Sequence, residues 1–323
     1  MIWVQLSQQG RYDESERLLQ QALEIVRQQL GEEHPDTARS LNNLAGGYYA
    51  QGRYTEAERL LQQALAIVRK QLGEEHPHTA TCLNNLALVY YAQGRYDEAE
   101  GLYQQALEIR RTQLGEKHPD TARSLNNLAA VYYAQGRYDE AEGLYQQALE
   151  IVRQQLGEGH PDTATFLNNL AGVYFAQGRY DEAEGLYQQA LEIVRQRLGE
   201  EHPDTATFLN NLAGVYFAQE RYAEAEGLYQ QALAITRKQL SEEHPDTAQS
   251  LNNLAEVYKA QERYAESERL YQQALAIMRN RLGDSHPNTI TVAGNYFACL
   301  MAMGKIGEAV QLLIQFPQIL LRG

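Results

Sequence analysis

Two cysteines in 323 residues, Cys82 and Cys299, are too few and too far apart for a disulfide framework. They read as small, partly buried apolar residues, and a reducing, cytoplasmic setting is expected. Basic residues are also scarce. Lys and Arg number 28 against 42 Asp and Glu, a formal net charge of -14. That balance argues against nucleic acid, whose phosphates need a basic face, and against anionic lipid. No apolar run approaches the roughly 20 residues needed to span a bilayer. Met1–Gly10 has neither a basic start nor a long apolar stretch, so no signal peptide is expected there. Proline occurs only eight times, and seven of those follow histidine.

Those seven prolines are the organising feature. They stand at Pro35, Pro77, Pro119, Pro161, Pro203, Pro245 and Pro287, always 42 residues apart. A period of this size signals a solenoid, in which each unit buries its apolar face against its neighbours. The unit Pro119–His160 is representative. Proline suits the first helical position, and Asp120 suits a helix dipole's positive end. Leu125, Leu128, Ala129 and Tyr132 follow with the i, i+3, i+4, i+7 spacing of an amphipathic helix, helix A, of about 16 residues. Gln135-Gly136-Arg137 should end it, with Gly136 as a left-handed cap. Helix B is expected over about Tyr138 to Leu156, closed by Gly157. Its inward stripe is Tyr138, Ala141, Tyr145, Ala148, Leu149 and Val152. Turns this short force the two helices antiparallel.

The predicted fold is all-α, a single solenoid over residues 1–323. Residues 1–34 form a partial first repeat, 35–286 six full repeats, and 287–323 a degenerate C-terminal capping repeat that Pro317 interrupts. Glu220 and Glu262 replace the capping glycine found at Gly52, Gly94, Gly136 and Gly178. If those turns keep a positive φ, each costs on the order of 1 kcal/mol. The C-terminal third is therefore expected to be looser.

Leu125-Asn126-Asn127-Leu128-Ala129, Tyr132, Gly136, Tyr138, Ala141, Tyr145 and Ala148 together resemble the tetratricopeptide repeat signature. The 42-residue period and the recurring His-Pro-Asp-Thr-Ala and Leu-Asn-Asn-Leu-Ala blocks resemble the kinesin light chain variety. Similar tandem copies occur in bacterial proteins, notably cyanobacterial ones. The resemblance covers about residues 10–290. It implies a right-handed superhelix whose A helices line a concave groove for peptide segments of partner proteins. It implies no catalysis and no cofactor.

A helical wheel places a second stripe opposite the packing stripe: Arg123, Asn126, Asn127, Ala130, Tyr133 and Ala134. Asn is a mediocre helix former, yet twelve of the fifteen asparagines sit in mid-helix pairs. An amide offers donors and an acceptor, so it can pair with a peptide backbone whatever the side chains. The first member of each pair is expected to hold the repeats in register. The resemblance points to the second member as the peptide clamp: Asn43, Asn85, Asn127, Asn169, Asn211 and Asn253. Arg39 and Arg123 match the basic positions that favour acidic cargo peptides, with Lys259 nearby. Thr81, Thr165, Thr207 and Gln249 depart from that pattern. The aromatic row Tyr91, Tyr133, Phe175 and Phe217 is expected to meet an apolar or aromatic anchor on the ligand, or else to pack between adjacent A helices.

The loop histidines are spread along the stack and cannot converge on a metal. A role at the helix start suits them better. No phosphate loop and no nucleophile motif is present, so no enzyme is expected. The leading function is a peptide-binding adaptor. Its rival is a self-assembling scaffold that forms a homodimer through apolar terminal repeats. That rival rests on Ile2, Val4, Leu6, Ala22 and Leu23 at one end. At the other it rests on Phe297, Leu300, Met301, Met303, Leu312, Leu313 and Ile314. A sensor arm of a larger signalling protein is a third reading.

Overall fold

Every helix A begins the same way. The loop histidine accepts, through Nδ1, a hydrogen bond from the backbone amide two residues on, and proline takes the first helical position. Asp120 N reaches His118 Nδ1 at 3.1 Å, and the geometry recurs at His34, His76, His160, His202, His244 and His286. The repeated histidine is thus an N-cap, filling the role usually taken by Ser or Asp. A threonine three residues on ties the preceding loop down: Thr121 Oγ1 donates to the Gly115 carbonyl at 2.8 Å.

The computed structural model describes residues 11–321. Among them are fifteen α-helices and a terminal 3₁₀ turn, and no strand. They divide into two compact units after Gln177. The first contains α1 (Tyr12–Leu30), α2 (Pro35–Ala50), α3 (Tyr54–Leu72), α4 (Pro77–Ala92), α5 (Tyr96–Leu114), α6 (Pro119–Ala134), α7 (Tyr138–Leu156) and α8 (Pro161–Ala176). The second contains α9 (Tyr180–Leu198), α10 (Pro203–Ala218), α11 (Tyr222–Gln239), α12 (Pro245–Ala260), α13 (Tyr264–Leu282), α14 (Pro287–Ala302) and α15 (Ile306–Gln315). A 3₁₀ turn over Pro317–Leu321 follows α15, where proline ends the helix. Within each unit, consecutive helices pack as antiparallel pairs, giving an all-helical solenoid.

Small residues set the close approach of these helices. Ala122, Ala129, Ala141 and Ala148 are completely buried, and Leu125, Leu128 and Leu149 fill the space between them. Each buried leucine contributes about 1.5–3 kcal/mol. Tyr138 is only half-buried, whereas Ile151 joins the inward stripe. The turn from A to B uses Gly136 at φ +75°, as expected. Glu220 and Glu262 hold φ of +60° and +61° there, so both turns keep the left-handed form despite the side chain. The B-to-A loop needs glycine for a different reason. Gly157 lies at φ 92°, ψ 162°, a region essentially reserved for glycine. In one loop that place is taken by Ser241, at φ 128°.

A polar ladder joins neighbouring repeats on the turn side. Arg137 Nη1 donates to Glu100 of the preceding repeat at 2.9 Å, while Nε and Nη2 bind Glu140. The guanidinium lies over the Tyr132 ring, 3.9 Å from its centroid. The Tyr132 hydroxyl in turn accepts from Gln104 at 3.4 Å. Arg53, Arg95, Arg221 and Arg263 repeat the arrangement with Glu16, Glu58, Glu184 and Glu226, and Lys305 continues it to Glu268.

The apolar residues expected to be bare at the ends divide sharply. Leu23, Leu300 and Leu312 are buried, because α1 packs on α2 and α15 on α14. Phe297, Met303 and Leu313 are half-buried, while Ala22, Met301 and Ile314 remain exposed. Ile2, Val4 and Leu6 lie outside the described residues.

Candidate functional site

The paired asparagines project from the middle of each helix A and meet across repeats. Asn127 Nδ2 donates to Asn84 Oδ1 at 2.8 Å, Asn169 to Asn126 at 2.9 Å, and Asn85 to Asn42 at 3.3 Å. In the second unit Asn295 donates to Asn252 at 3.1 Å. In these pairs the second amide of one repeat binds the first amide of its predecessor; Asn210 departs from this, donating to Ser250 Oγ at 3.4 Å while its own Oδ1 is left without a partner among the described residues. The buried alanines bring adjacent A helices close enough for these short side chains to reach. This register role belongs to both members of the pair, which a wheel drawn on one helix could not reveal. Yet the amides are not sealed in. Asn252 is buried, and the other eleven are half-buried.

Other groups surround the ladder. Asn42 Nδ2 also donates to Cys82 Sγ at 3.0 Å, and Gln249 Nε2 donates to Asn253 Oδ1 at 2.8 Å. Arg39 and Arg123 are exposed, but each pairs with an aspartate in its own first turn, Asp36 at 3.0 Å and Asp120 at 3.3 Å. The ring contacts of the aromatic row run to the following helix B. Tyr91 packs on Tyr96 and Tyr133 on Tyr138, at the start of the following helix B, with centroids 5.6 Å apart. Phe217 meets Tyr222 in the same way, and Tyr49, in the same column of α2, meets Tyr54. Tyr133 remains more than a third exposed, and Tyr91, Phe175 and Phe217 are half-buried.

Two charged groups break the pattern. Arg110 occupies a column where the neighbouring repeats carry Val68, Val152 and Val194. It is buried and donates through Nη1 to Ser124 Oγ at 2.7 Å and to the Asp120 carbonyl at 3.2 Å. Burial pulls its pKa below the usual arginine value. Glu256 stands on the groove stripe of α12, and burial raises its carboxyl above the ordinary range, Lys259 opposing the shift.

One feature escaped the helical wheel. Between α2 and α4 lies a cavity of 490 Å³. Arg39, Asn42, Asn43, Asn85 and Tyr49 form its polar and aromatic edge, while Leu61, Val68, Cys82, Leu88 and Val89 supply apolar walls. It opens on the A-helix face and gathers three of the residues singled out from the sequence: Arg39, Asn43 and Asn85. Leu61, Cys82 and Leu88 were missed as lining, because the gap arises only where two columns from different helices turn small together. No helix among the described residues is long and apolar enough to cross a membrane.

A family profile described as tetratricopeptide repeat matches residues 5–67, 36–112, 86–154, 120–196, 162–238, 204–280 and 246–315. The chain belongs to the tetratricopeptide repeat family. Among solved structures, this tetratricopeptide repeat chain is similar to BtubC (BKLC) from P. vanneervenii. Identity is 28%, coverage 74% of this chain and 94% of that one, and the TM-score 0.58. It is also similar to a putative kinesin light chain from Podospora anserina with nearly identical TPR-like repeats. Identity there is 35%, coverage 64% of this chain and 97% of that one, and the TM-score 0.53. The apo form of the quorum sensor NprR from B. thuringiensis shares the fold at 16% identity. Its TM-score is 0.70, with 96% of this chain and 82% of that one covered. No curated protein matches the chain. Tetratricopeptide repeat arrays are protein-interaction modules, and in that general sense so is this chain.

Proposed function

We propose that the A-helix face binds peptide segments of partner proteins. The contacts would come from Asn43, Asn85, Asn127, Asn169, Asn211 and Asn253, with Arg39 and Arg123 at the rim and Tyr91, Tyr133, Phe175 and Phe217 alongside. The observation that carries this reading is the 490 Å³ cavity, a mostly apolar recess edged by amides on the very stripe that opposes the packing face. Ligand sites are typically concave and apolar with a few convergent polar groups. The arm is read as non-catalytic, without a cofactor, and cytoplasmic. A net charge of -14 favours a protein partner over nucleic acid. The test is a selection of random linear peptides on the chain, followed by NMR mapping of the winners. Shifts concentrated on helix A residues around Asn43 and Asn85 support the reading. Shifts confined to the outer faces of the B helices refute it.

A second reading has its own observation. Ile306, Val310 and Ile314 form an i, i+4, i+8 stripe on α15, exposed by 61%, 47% and 74%. Such a stripe supports self-association. Light scattering over a wide concentration range decides it, a strict monomer removing the idea.

A further inference from the structure

The cavity between α2 and α4 has a definite origin, and the origin says what fits it. Leu61 occupies a helix B column that carries Tyr103, Tyr145, Tyr187, Tyr229 and Tyr271 in the later repeats. In those repeats the column supplies a phenol ring in place of an isobutyl group. Tyr103, Tyr145, Tyr229 and Tyr271 are all buried. The Tyr229 hydroxyl reaches so far that a Cβ on Gly214 would stand 3.7 Å from it. The equivalent place beside Gly46 has nothing within 4 Å.

A further column shortens at the same interface. Cys82 stands where α8 and α10 carry Phe166 and Phe208, both buried. At α6 the residue is Ser124, but there Arg110 fills the space. The Arg110 column holds only Val68 beside Cys82. Two reduced side chains, Leu61 and Cys82, thus coincide at one contact beside an ordinary Val68, and 490 Å³ opens on the groove. In the later repeats the same column as Leu61 supplies a buried tyrosine ring from within.

We propose that this cavity receives one uncharged aromatic side chain, of the tyrosine or phenylalanine class, from the partner peptide. The inference rests on the groove-binding reading above and names the anchor that reading requires. The walls suit a ring: Leu61, Cys82 and Val89 are almost fully buried and apolar, and Leu88, 37% exposed, flanks the opening. The half-buried amides of Asn43 and Asn85 stand at the edge, where the peptide main chain or a phenol hydroxyl would lie. The rim charge is balanced, Arg39 being paired with Asp36 at 3.0 Å, so nothing here favours a charged anchor.

The variants Leu61→Tyr and Cys82→Phe each restore a residue that sibling repeats carry, and each should fill the cavity with the fold intact. The first probe is p-cresol, the tyrosine side chain alone, titrated into the full chain while the methyls of Leu61, Val68, Leu88 and Val89 are followed by NMR. Saturable shifts in the wild type that vanish in the filled variants are expected. Absence of saturable shifts in the wild type, or equal shifts in a folded filled variant, overturns the proposal. If both variants fail to fold, the wild-type titration decides alone. In the peptide selection, winners should carry an aromatic residue at a fixed position and lose about tenfold or more in affinity on Leu61→Tyr, as hot-spot anchors do. Groove-bound winners without an aromatic, indifferent to Leu61→Tyr, sink the anchor and leave the groove reading standing. Failure to obtain any groove-bound peptide sinks the groove reading, and the proposed partner with it.

Discussion

Replacing Ser241 by glycine should stabilise the second compact unit. In this loop the sibling residues Gly31, Gly73, Gly115, Gly157, Gly199 and Gly283 adopt φ between 85° and 100°, while Ser241 sits at 128°. The loop leaves serine little freedom to escape. Thr247 Oγ1 binds its carbonyl at 2.7 Å, and the α12 start is fixed by the His244 cap. Helix α11 yields instead, ending at Gln239 one residue short of its siblings. Backbone held in a glycine-only region costs about 1–3 kcal/mol. Glycine returns about 0.4–1 kcal/mol of that through the extra entropy of the unfolded chain. The net expectation for Ser241→Gly is a gain of about 1–2 kcal/mol. The reverse change, Gly157→Ser, should cost the first unit a similar amount. No atom within 4 Å would obstruct a side chain at Gly157, so backbone strain alone would act. Urea unfolding of both variants, with amide exchange read at the α11–α12 loop, measures the pair. An unchanged or lowered midpoint for Ser241→Gly, or a harmless Gly157→Ser, would refute the reasoning.

Arg110→Val should destabilise the first unit by leaving space beside Ser124, whereas adding Ser124→Phe recreates the Val152 and Phe166 pairing found one repeat later. A coupling of roughly 0.5–3 kcal/mol in that double-mutant cycle is expected, and additive effects would contradict the packing account. Burial lowers the pKa of His286, whose Nδ1 must stay unprotonated to cap α14. Its stabilisation is therefore complete above the unfolded histidine value of about 6.5 and is lost as pH falls through the lower folded value. Protection of the Asn288 amide, relative to its intrinsic exchange rate, should fall in acid, and His286→Asn should abolish that fall. Burial raises the pKa of Glu256, so its ionised form weighs against folding at neutral pH and the penalty fades in acid. Glu256→Gln should raise the melting temperature at pH 7 and change little near pH 4, values read by calorimetry at roughly those two points.

Local signals were fully legible. The proline, the histidine before it and the glycines mark helix ends, and α6 and α7 run Pro119–Ala134 and Tyr138–Leu156 as their residues dictate. The conditional strain at Glu220 and Glu262 could be stated in advance because φ is a property of one residue in one turn. What stayed hidden involves pairs of distant residues. Arg137 and Glu100 read separately as a turn residue and a solvated acid, yet they meet across repeats. The amides of Asn127 and Asn84 likewise bind each other, although each alone looks free to greet a ligand. The cavity is harder still, since Leu61, Val68 and Cys82 lie on two helices and none is unusual by itself. Leu61, Cys82 and Ser241 stand out only against the equivalent residues of the other repeats.

The bonds between repeats are written at constant separations along the chain: 43 residues for the amides and 37 for the arginine bridges. Cutting out any stretch of 42 residues would therefore bring each donor to an acceptor equivalent to the one it lost. Excisions of other lengths would break the pairings that span the join, while those lying wholly on one side keep their separations. A change of length by whole modules would thus leave the chemistry of every junction the same.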